Sequence, residues 1–203
     1  MDVHKICDKT WPLVQTHGGE PHVELEMRLG KFNGKMFDTN VGKETFDRVM
    51  IGLQRYMGWE QVRGTEHEVF YRESDGVRIS VDEATGEEVI VRKERVKNED
   101  FKKIKGTPYD VRFSVSKEVP LPPETNRDMD KKKMKKRVSF IRKNLSIDMT
   151  ICIGDSHDMD VEDPTSYQIE FEIIDPTAVK TKDEMFNIIH KIKDLFNLLN
   201  SNK

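Results

Sequence analysis

Four glutamates stand in two Glu-x-Glu pairs far apart in the chain: Glu24 and Glu26 within HVELEMRL, and Glu170 and Glu172 within YQIEFEI. In extended backbone, side chains two apart share a face, so each pair sets two carboxylates roughly 7 Å apart on one side of its strand. Carboxylate oxygens are hard ligands that suit Mg2+ or Mn2+ rather than zinc. Segments between the two pairs carry basic side chains at alternate positions. Arg78 stands with Ser80 and Asp82, and Arg112 with Asp110, Ser114, Ser116 and Glu118; Lys133, Lys135 and Arg137 stand with Ser139. Arg grips phosphate oxygens in bidentate fashion, and Lys binds them as a point charge. Carboxylates for a hard cation and a basic cage for phosphate are the parts phosphoryl transfer needs: positioning, and neutralisation of charge on the transferred group.

The elements that must position these residues read as follows. Residues 22–29 alternate cleanly between polar and apolar, which predicts a strand. Further strands are expected at 66–73, 76–82, 87–96, 109–119, 134–142, 145–153 and 166–174. Turn residues separate them at Ser74-Asp75-Gly76, Thr85-Gly86, Gly106-Thr107-Pro108 and Pro120 to Pro123. Residues 2–17 read as a short helix or irregular arm, and 30–37 as a turn with a short extension. Phe46, Val49, Met50, Leu53 and Met57 recur at helical spacing, which predicts an amphipathic helix over 43–57. A terminal helix over 181–200 carries Met185, Ile188, Ile189, Ile192, Leu195, Phe196 and Leu199 on one side, and residues 154–165 form an acidic loop. Many short strands at this spacing imply a barrel or a sandwich.

The polar faces decide what such a fold would be for. One face of 22–29 carries Glu24, Glu26 and Arg28, and one face of 166–174 carries Gln168, Glu170 and Glu172; Ser146, Asp148 and Thr150 share a third. A single polar face commonly points to bulk water. Across six strands, however, these positions are rich in Glu, Arg and Lys and nearly free of Thr, Gln and Asn. They are expected to line a hydrated lumen, with the apolar faces covered by the amphipathic helices. Inward charges are costly unless paired or hydrated, so Glu–Arg pairs are expected inside. The fold class is therefore α+β and mainly β: a closed antiparallel eight-stranded barrel with helices packed outside. A single domain over 1–203 is expected, with an arm or helix at 1–20, the barrel at 22–174 and the helix at 181–200.

Bulk properties set limits. The 203 residues hold 34 Lys and Arg against 37 Asp and Glu, a net charge of −3. That excludes the global basic field of a general nucleic-acid binder, and an anionic ligand must be met locally. The two cysteines, Cys7 and Cys152, form neither a metal spacing nor a disulfide framework. No stretch approaches the roughly 20 apolar residues of a membrane span, and no signal peptide is visible; a protein that is neither secreted nor membrane-bound is expected. The histidines show no metal spacing and read as structural or exposed. Lys131 to Lys133 read as a solvated loop that also could guide RNA, with only Lys135 and Arg137 of this basic run entering the lumen. Gly30 to Lys35 is one residue short of a phosphate-binding loop and is set aside.

HVELEMRLG and YQIEFEI resemble the two glutamate motifs of the triphosphate tunnel metalloenzymes. YDVRFSVSKEVPLP is similar to the Lys/Arg-x-Ser-x-x-x-Glu strand of the RNA 5′-triphosphatases of fungi and large DNA viruses. KMKKRVSF and SIDMT are similar to the basic strand and the Asp-x-Thr strand of that branch. The resemblance runs from about residue 22 to 174. It implies that Glu24, Glu26 and Glu172 hold the metal, that Glu170 is a supporting acid, and that Glu118 orients the attacking water. It further implies phosphate contacts from Arg112, Lys135, Arg137, Arg78 and Lys93, with Asp148 and Thr150 as partners of the basic side chains. Arg28, Lys133 and Ser114 complete the expected substrate-binding set. Gln168 stands where many members have a third Glu, and Lys133 where an Arg is common. Periodicity does not choose between Arg92 and Lys93 for the lumen.

The reading that follows is a Mg2+- or Mn2+-dependent RNA 5′-triphosphatase of mRNA capping, with side activity on nucleoside triphosphates. A separate guanylyltransferase is expected as partner, since no Lys-x-Asp-Gly occurs in these residues, and a homodimer is possible for a fungal relative. The expected location is nuclear if the protein is fungal, and the virion or infected host cell if viral. Two alternatives stand beside it: an inorganic tripolyphosphatase or nucleotide triphosphatase on the same fold, and a non-catalytic polyphosphate-binding module.

Overall fold

The computed structural model describes residues 2–123, 126–154 and 165–200. Helix α1 (Val3–His17) is followed by β1 (Val23–Asn33), β2 (Met36–Asp38) and α2 (Lys43–Arg55). Then come β3 (Gln61–Arg72), β4 (Val77–Asp82), β5 (Glu88–Phe101), β6 (Asp110–Pro120), β7 (Lys131–Arg142), β8 (Leu145–Ile153) and β9 (Ser166–Ile173). A single 3-10 turn (Pro176–Ala178) leads to α3 (Lys182–Asn200). The expected acidic loop lies, apart from its ends, outside the described residues. No helix among the described residues is long and apolar enough to cross a membrane.

All strand pairings are antiparallel, in the order β2-β1-β6-β5-β4-β3-β7-β8-β9, and β1 also pairs with β9. That last pairing closes eight strands into a barrel and leaves β2 outside the ring as an extra strand. The closing seam is short: Glu26 faces Glu172, Met27 faces Phe171 and Arg28 faces Glu170. Past Arg28, β2 takes over the same edge of β1, pairing Lys31 to Asn33 with Met36 to Asp38.

Three expectations change. The strand expected at 66–73 begins at Gln61, and that expected at 87–96 runs on to Phe101. Lys131 to Lys133 are not a loop but the start of β7, paired with Val69 to Tyr71. Charge on both faces of KKKMKKR removes the apolar alternation that marks a strand, so this part of β7 was invisible to periodicity.

The core lies outside the ring. Leu25, Met27 and Leu29 of β1, Val111, Phe113 and Val115 of β6, Ile147 and Met149 of β8, and Ile169, Phe171 and Ile173 of β9 are buried. They form one cluster with Ile6 and Val14 of α1, Phe46, Val49 and Leu53 of α2, and Met185, Ile189, Ile192 and Phe196 of α3. Burying these outward faces under helices drives closure of the barrel and turns the polar faces inward. Asp2 caps α1 by accepting from the Lys5 backbone N–H at 3.1 Å, satisfying one of the free donors of the first turn.

Candidate active site

The polar faces enclose a cavity of about 1120 Å³. Twelve of the fifteen expected site residues line it: Glu24, Glu26, Arg28, Arg78, Lys93, Glu118, Lys133, Lys135, Arg137, Asp148, Glu170 and Glu172. Arg112, Ser114 and Thr150 share these strand faces but are not part of the wall. Ser114 is buried opposite Glu26. Thr150 accepts a hydrogen bond from Arg137 Nε at 3.0 Å. Arg112 lies past the end of the cavity, held by Asp100 at 2.7 Å and packed against Phe32 and Phe37.

The acidic side chains come from β1, β8 and β9. Register places Glu26 opposite Glu172, Arg28 opposite Glu170 and Asp148 opposite Glu170. Arg28 bridges two of the acids, with Nη2 at 2.5 Å from Glu26 Oε1 and Nε at 2.8 Å from Glu170 Oε1. The second contact is an ion pair rather than a hydrogen bond, because Arg28 Nε has no acceptor in line. Arg137 from β7 holds Asp148 at 2.8 Å and Glu170 at 3.3 Å.

Lys93 settles the ambiguity of its strand. It points inward, with Nζ at 2.5 Å from Glu24, 3.3 Å from Glu118 and 3.8 Å from Glu26, whereas Arg92 pairs with Glu94 on the outside. Further along β5 the register shifts between Arg95 and Lys97, and Val96 is the extra residue of a β-bulge. Odd-numbered residues face inward before it; Asn98 and Asp100 do so after it.

These pairings divide the carboxyls. Burial raises the Glu24 carboxyl, but Lys93, Ser116 and Arg78 outweigh it and hold the group below its ordinary value. Burial likewise opposes Arg28, Arg137 and Lys135 at Glu170, and the cations prevail. Burial wins at Glu26, which is raised. At Glu172, burial and the neighbouring Asp148, Glu24 and Glu26 push the carboxyl up to about 7. The acidic wall thus carries more negative charge than its resident cations offset at that point.

Among the described residues, no three Asp, Glu, His or Cys side chains stand as a ready-made metal cluster; the acids are spread around Lys93 and Arg28 instead. Their chemistry nevertheless fits a hard divalent cation. Glu26 and Glu172 face each other across the seam, Glu24 lies two residues along the same face, and the raised Glu172 carboxyl marks a place where added positive charge is favourable. For an anion, Arg78 lines the cavity with its Nη1 on Glu118 at 3.0 Å, and its buried Nε has no acceptor.

The cavity also holds residues that the sequence reading missed. Arg63, His67 and Tyr71 of β3, Arg95 of β5 and Lys131 of β7 line it. His67 lies 3.5 Å from Asp82. The Tyr71 ring sits between Arg78 and Lys135, at 5.3 and 5.8 Å from its centre. The alternation 63-65-67-69-71 is the signal that could have found the β3 set, had the strand been started at Gln61.

Comparison with known proteins agrees with this geometry. The family model described as mRNA capping enzyme, beta chain, matches residues 58–202. Among solved structures, the chain is similar to the Pct1 RNA triphosphatase of S. pombe, with a TM-score of 0.69 at 19% identity, covering 94% of this chain and 87% of that one. Pct1 in complex with the Spt5 CTD gives a TM-score of 0.69 at 18% identity, covering 99% and 90%. A chain of the Schizosaccharomyces pombe Mediator head module gives 0.52 at 11% identity, covering 88% and 96%. No curated protein matches. At these identities the structural likeness establishes the fold.

Proposed function

The chain belongs to the mRNA capping enzyme beta-chain family, and from that premise we propose that it is a divalent-metal-dependent RNA 5′-triphosphatase that removes the γ-phosphate of triphosphate-ended RNA. The observation that carries this reading is one enclosed cavity in which Glu24, Glu26 and Glu172 face Arg78, Lys93, Lys135 and Arg137. A linear triphosphate is polyanionic, and a channel that converges cations on it strengthens every contact relative to bulk water.

Glu24, Glu26 and Glu172 would hold the metal, Mg2+ or Mn2+, which would supply positive charge against the γ-phosphate oxygens. Arg78 and Lys135 bind the phosphate oxygens. Arg137 does the same while Asp148 and Thr150 fix its guanidinium plane. Glu118, held between Arg78 at 3.0 Å and Lys93 at 3.3 Å, accepts a hydrogen bond from the attacking water and aligns it with the scissile bond. Nucleoside triphosphates are side substrates. A separate guanylyltransferase completes the cap, in the nucleus of a fungal cell or in a virion or infected host.

Phosphate release from triphosphate-ended RNA in the presence of Mg2+ or Mn2+ tests the reading. Glu24→Ala and Glu172→Ala should each abolish turnover while the protein stays folded by circular dichroism. Turnover that survives both changes, or that needs no divalent cation, would overturn it.

A further inference from the structure

The inner face of β1 does not stop at the cavity. Glu24, Glu26 and Arg28 share their face with Gly30 and Phe32, which lie beyond the rim. Phe32 pairs with Phe37 of β2 across the hairpin, with ring centres 5.0 Å apart. Gly30 makes room for this: a Cβ there would collide with the Asp38 carbonyl oxygen and stand 2.8 Å from Phe37 Cζ. Arg112, opposite Arg28 on β6, places its guanidinium 4.7 Å from the Phe37 ring centre and 5.4 Å from that of Phe32. Lys102 Nζ lies over the Phe32 ring as well, 3.7 Å from its centre. One surface therefore runs from the acids through Arg28 and Arg112 to two rings tilted against each other at 47°.

The rings are half-buried; Lys102 beside Phe32 is exposed, as are Lys35 in the hairpin turn and Lys103 next to Lys102, whereas Lys31 turns to the other face of β1, over Tyr109. The nearby carboxylates are already engaged. Asp100 holds Arg112, Asp110 accepts the backbone N–H groups of Phe32 and Lys103, and Asp38 accepts that of Asn40. None of Lys35, Lys102 and Lys103 has a salt bridge among the described residues. Thr39, just after β2, lines the cavity itself, so this surface adjoins one mouth.

Resting on the RNA triphosphatase reading, we propose that Phe32 and Phe37, with Arg112 and these lysines, form a landing surface for the first nucleotides of a single-stranded RNA whose triphosphate occupies the cavity. Sequence-tolerant binding of single strands combines ring faces on which bases stack with cations that follow the phosphates. Both occur here, on the strand face that also carries the acids. Phe32 lies six residues from Glu26, roughly 20 Å along the strand, far enough for nucleotides beyond the triphosphate. Arg112 thereby acts on the RNA outside the cavity and not on the transferred phosphate.

The test compares a triphosphate-ended ten-nucleotide RNA with inorganic tripolyphosphate as substrates. In Phe32→Ala/Phe37→Ala, KM for the RNA should rise about tenfold or more, with kcat and tripolyphosphate hydrolysis unchanged, and Phe32→Tyr/Phe37→Tyr should restore it. Lys102→Ala/Lys103→Ala, on exposed side chains that leave the hairpin intact, should weaken RNA binding and flatten its salt dependence. Fluorescence anisotropy with a labelled 5′-hydroxyl RNA of the same length reads binding without turnover, and both double alanine variants should lose it. Unchanged anisotropy in both variants, an equal loss on tripolyphosphate, or tighter wild-type binding of a labelled acidic peptide than of the RNA would overturn the proposal. Absence of phosphate release from RNA by the wild type would instead sink the triphosphatase reading, with anisotropy still judging the landing surface.

Discussion

The wall formed by β1, β6, β8 and β9 and the wall formed by β3, β4, β5 and the start of β7 differ in what stands behind them. The first carries the acids Glu24, Glu26, Asp148, Glu170 and Glu172, and its outer face is packed under three helices. The second carries Arg63, Arg78, Lys93, Lys131, Lys133 and Lys135. Most of its outside has a small cluster, Val77, Ile79 and Ile90, beneath Leu121 and Met129, and only the end of β5, at Phe101, joins the main core. Much of the rest is charged: Lys132 pairs with Glu68, and Lys136 lies 2.8 Å from Glu66. Carboxylates that must meet at one point need fixed backbones, and a dense apolar foundation provides them. Long cationic side chains reach their ligand through several rotatable bonds and tolerate a softer support. The contrast teaches that a tunnel need not be equally rigid all round.

Four experiments break or sharpen this contrast. The largest effect is expected behind the acidic wall. Phe171→Ala removes a fully buried ring and should cost about 3–5 kcal/mol in denaturant unfolding. Val62→Ala, on the outside of the basic wall and 54% exposed, should stay within about 0.5 kcal/mol. Equal costs at the two sites would dissolve the distinction. Next, Arg137→Ala strips the partner from Asp148, which is 2% exposed. It should lower stability by about 3 kcal/mol and kcat/KM by about 100-fold, read by unfolding and phosphate release.

A pH series on the metal-free protein comes third. The Glu172 carboxyl is raised from its ordinary 4.5 to about 7 by burial and by Asp148, Glu24 and Glu26. Between those values the folded protein keeps a proton that the unfolded chain releases. The contribution is therefore full below about 4.5 and lost as pH rises through about 7. Glu172→Gln should gain Tm relative to the wild type across that window and hold a constant offset below it. A flat difference would mean that Glu172 titrates normally. The smallest effect belongs to the outer charges: Lys136→Ala should change stability by less than about 1 kcal/mol, and salt should shrink even that.

Much of this was legible in the sequence, and unevenly so along the same division. The strands of the acidic wall have one apolar and one polar face, so HVELEMRL and YQIEFEI announced their period and their inward residues together. The basic wall hides its period at the start of β7, where both faces are charged. Lys131 to Lys133 read as loop for that reason, Arg63 lies in the unassigned start of β3, and His67 and Tyr71 lie in the expected strand at 66–73 without a Glu, Lys or Arg pattern to single out their face. In β5 the bulge at Val96 changes the parity partway, so no single rule from VIVRKERVK could assign the later residues. Arg112 was placed on the correct face, but face alone does not say how far along the barrel a side chain lies. That depends on where β2 replaces β9 beside β1, a tertiary fact with no local signature.

The three-residue seam between first and last barrel strands has one more consequence. The groups proposed to grip a ligand, Glu26 and Glu172, sit on opposite lips of that joint. Whatever cation they clamp also laces the two ends of the ring together like a buckle on a strap. Occupancy then reinforces a closure that the backbone pairing has already made, and a ligand that loads this joint should raise the melting temperature along with catalytic readiness.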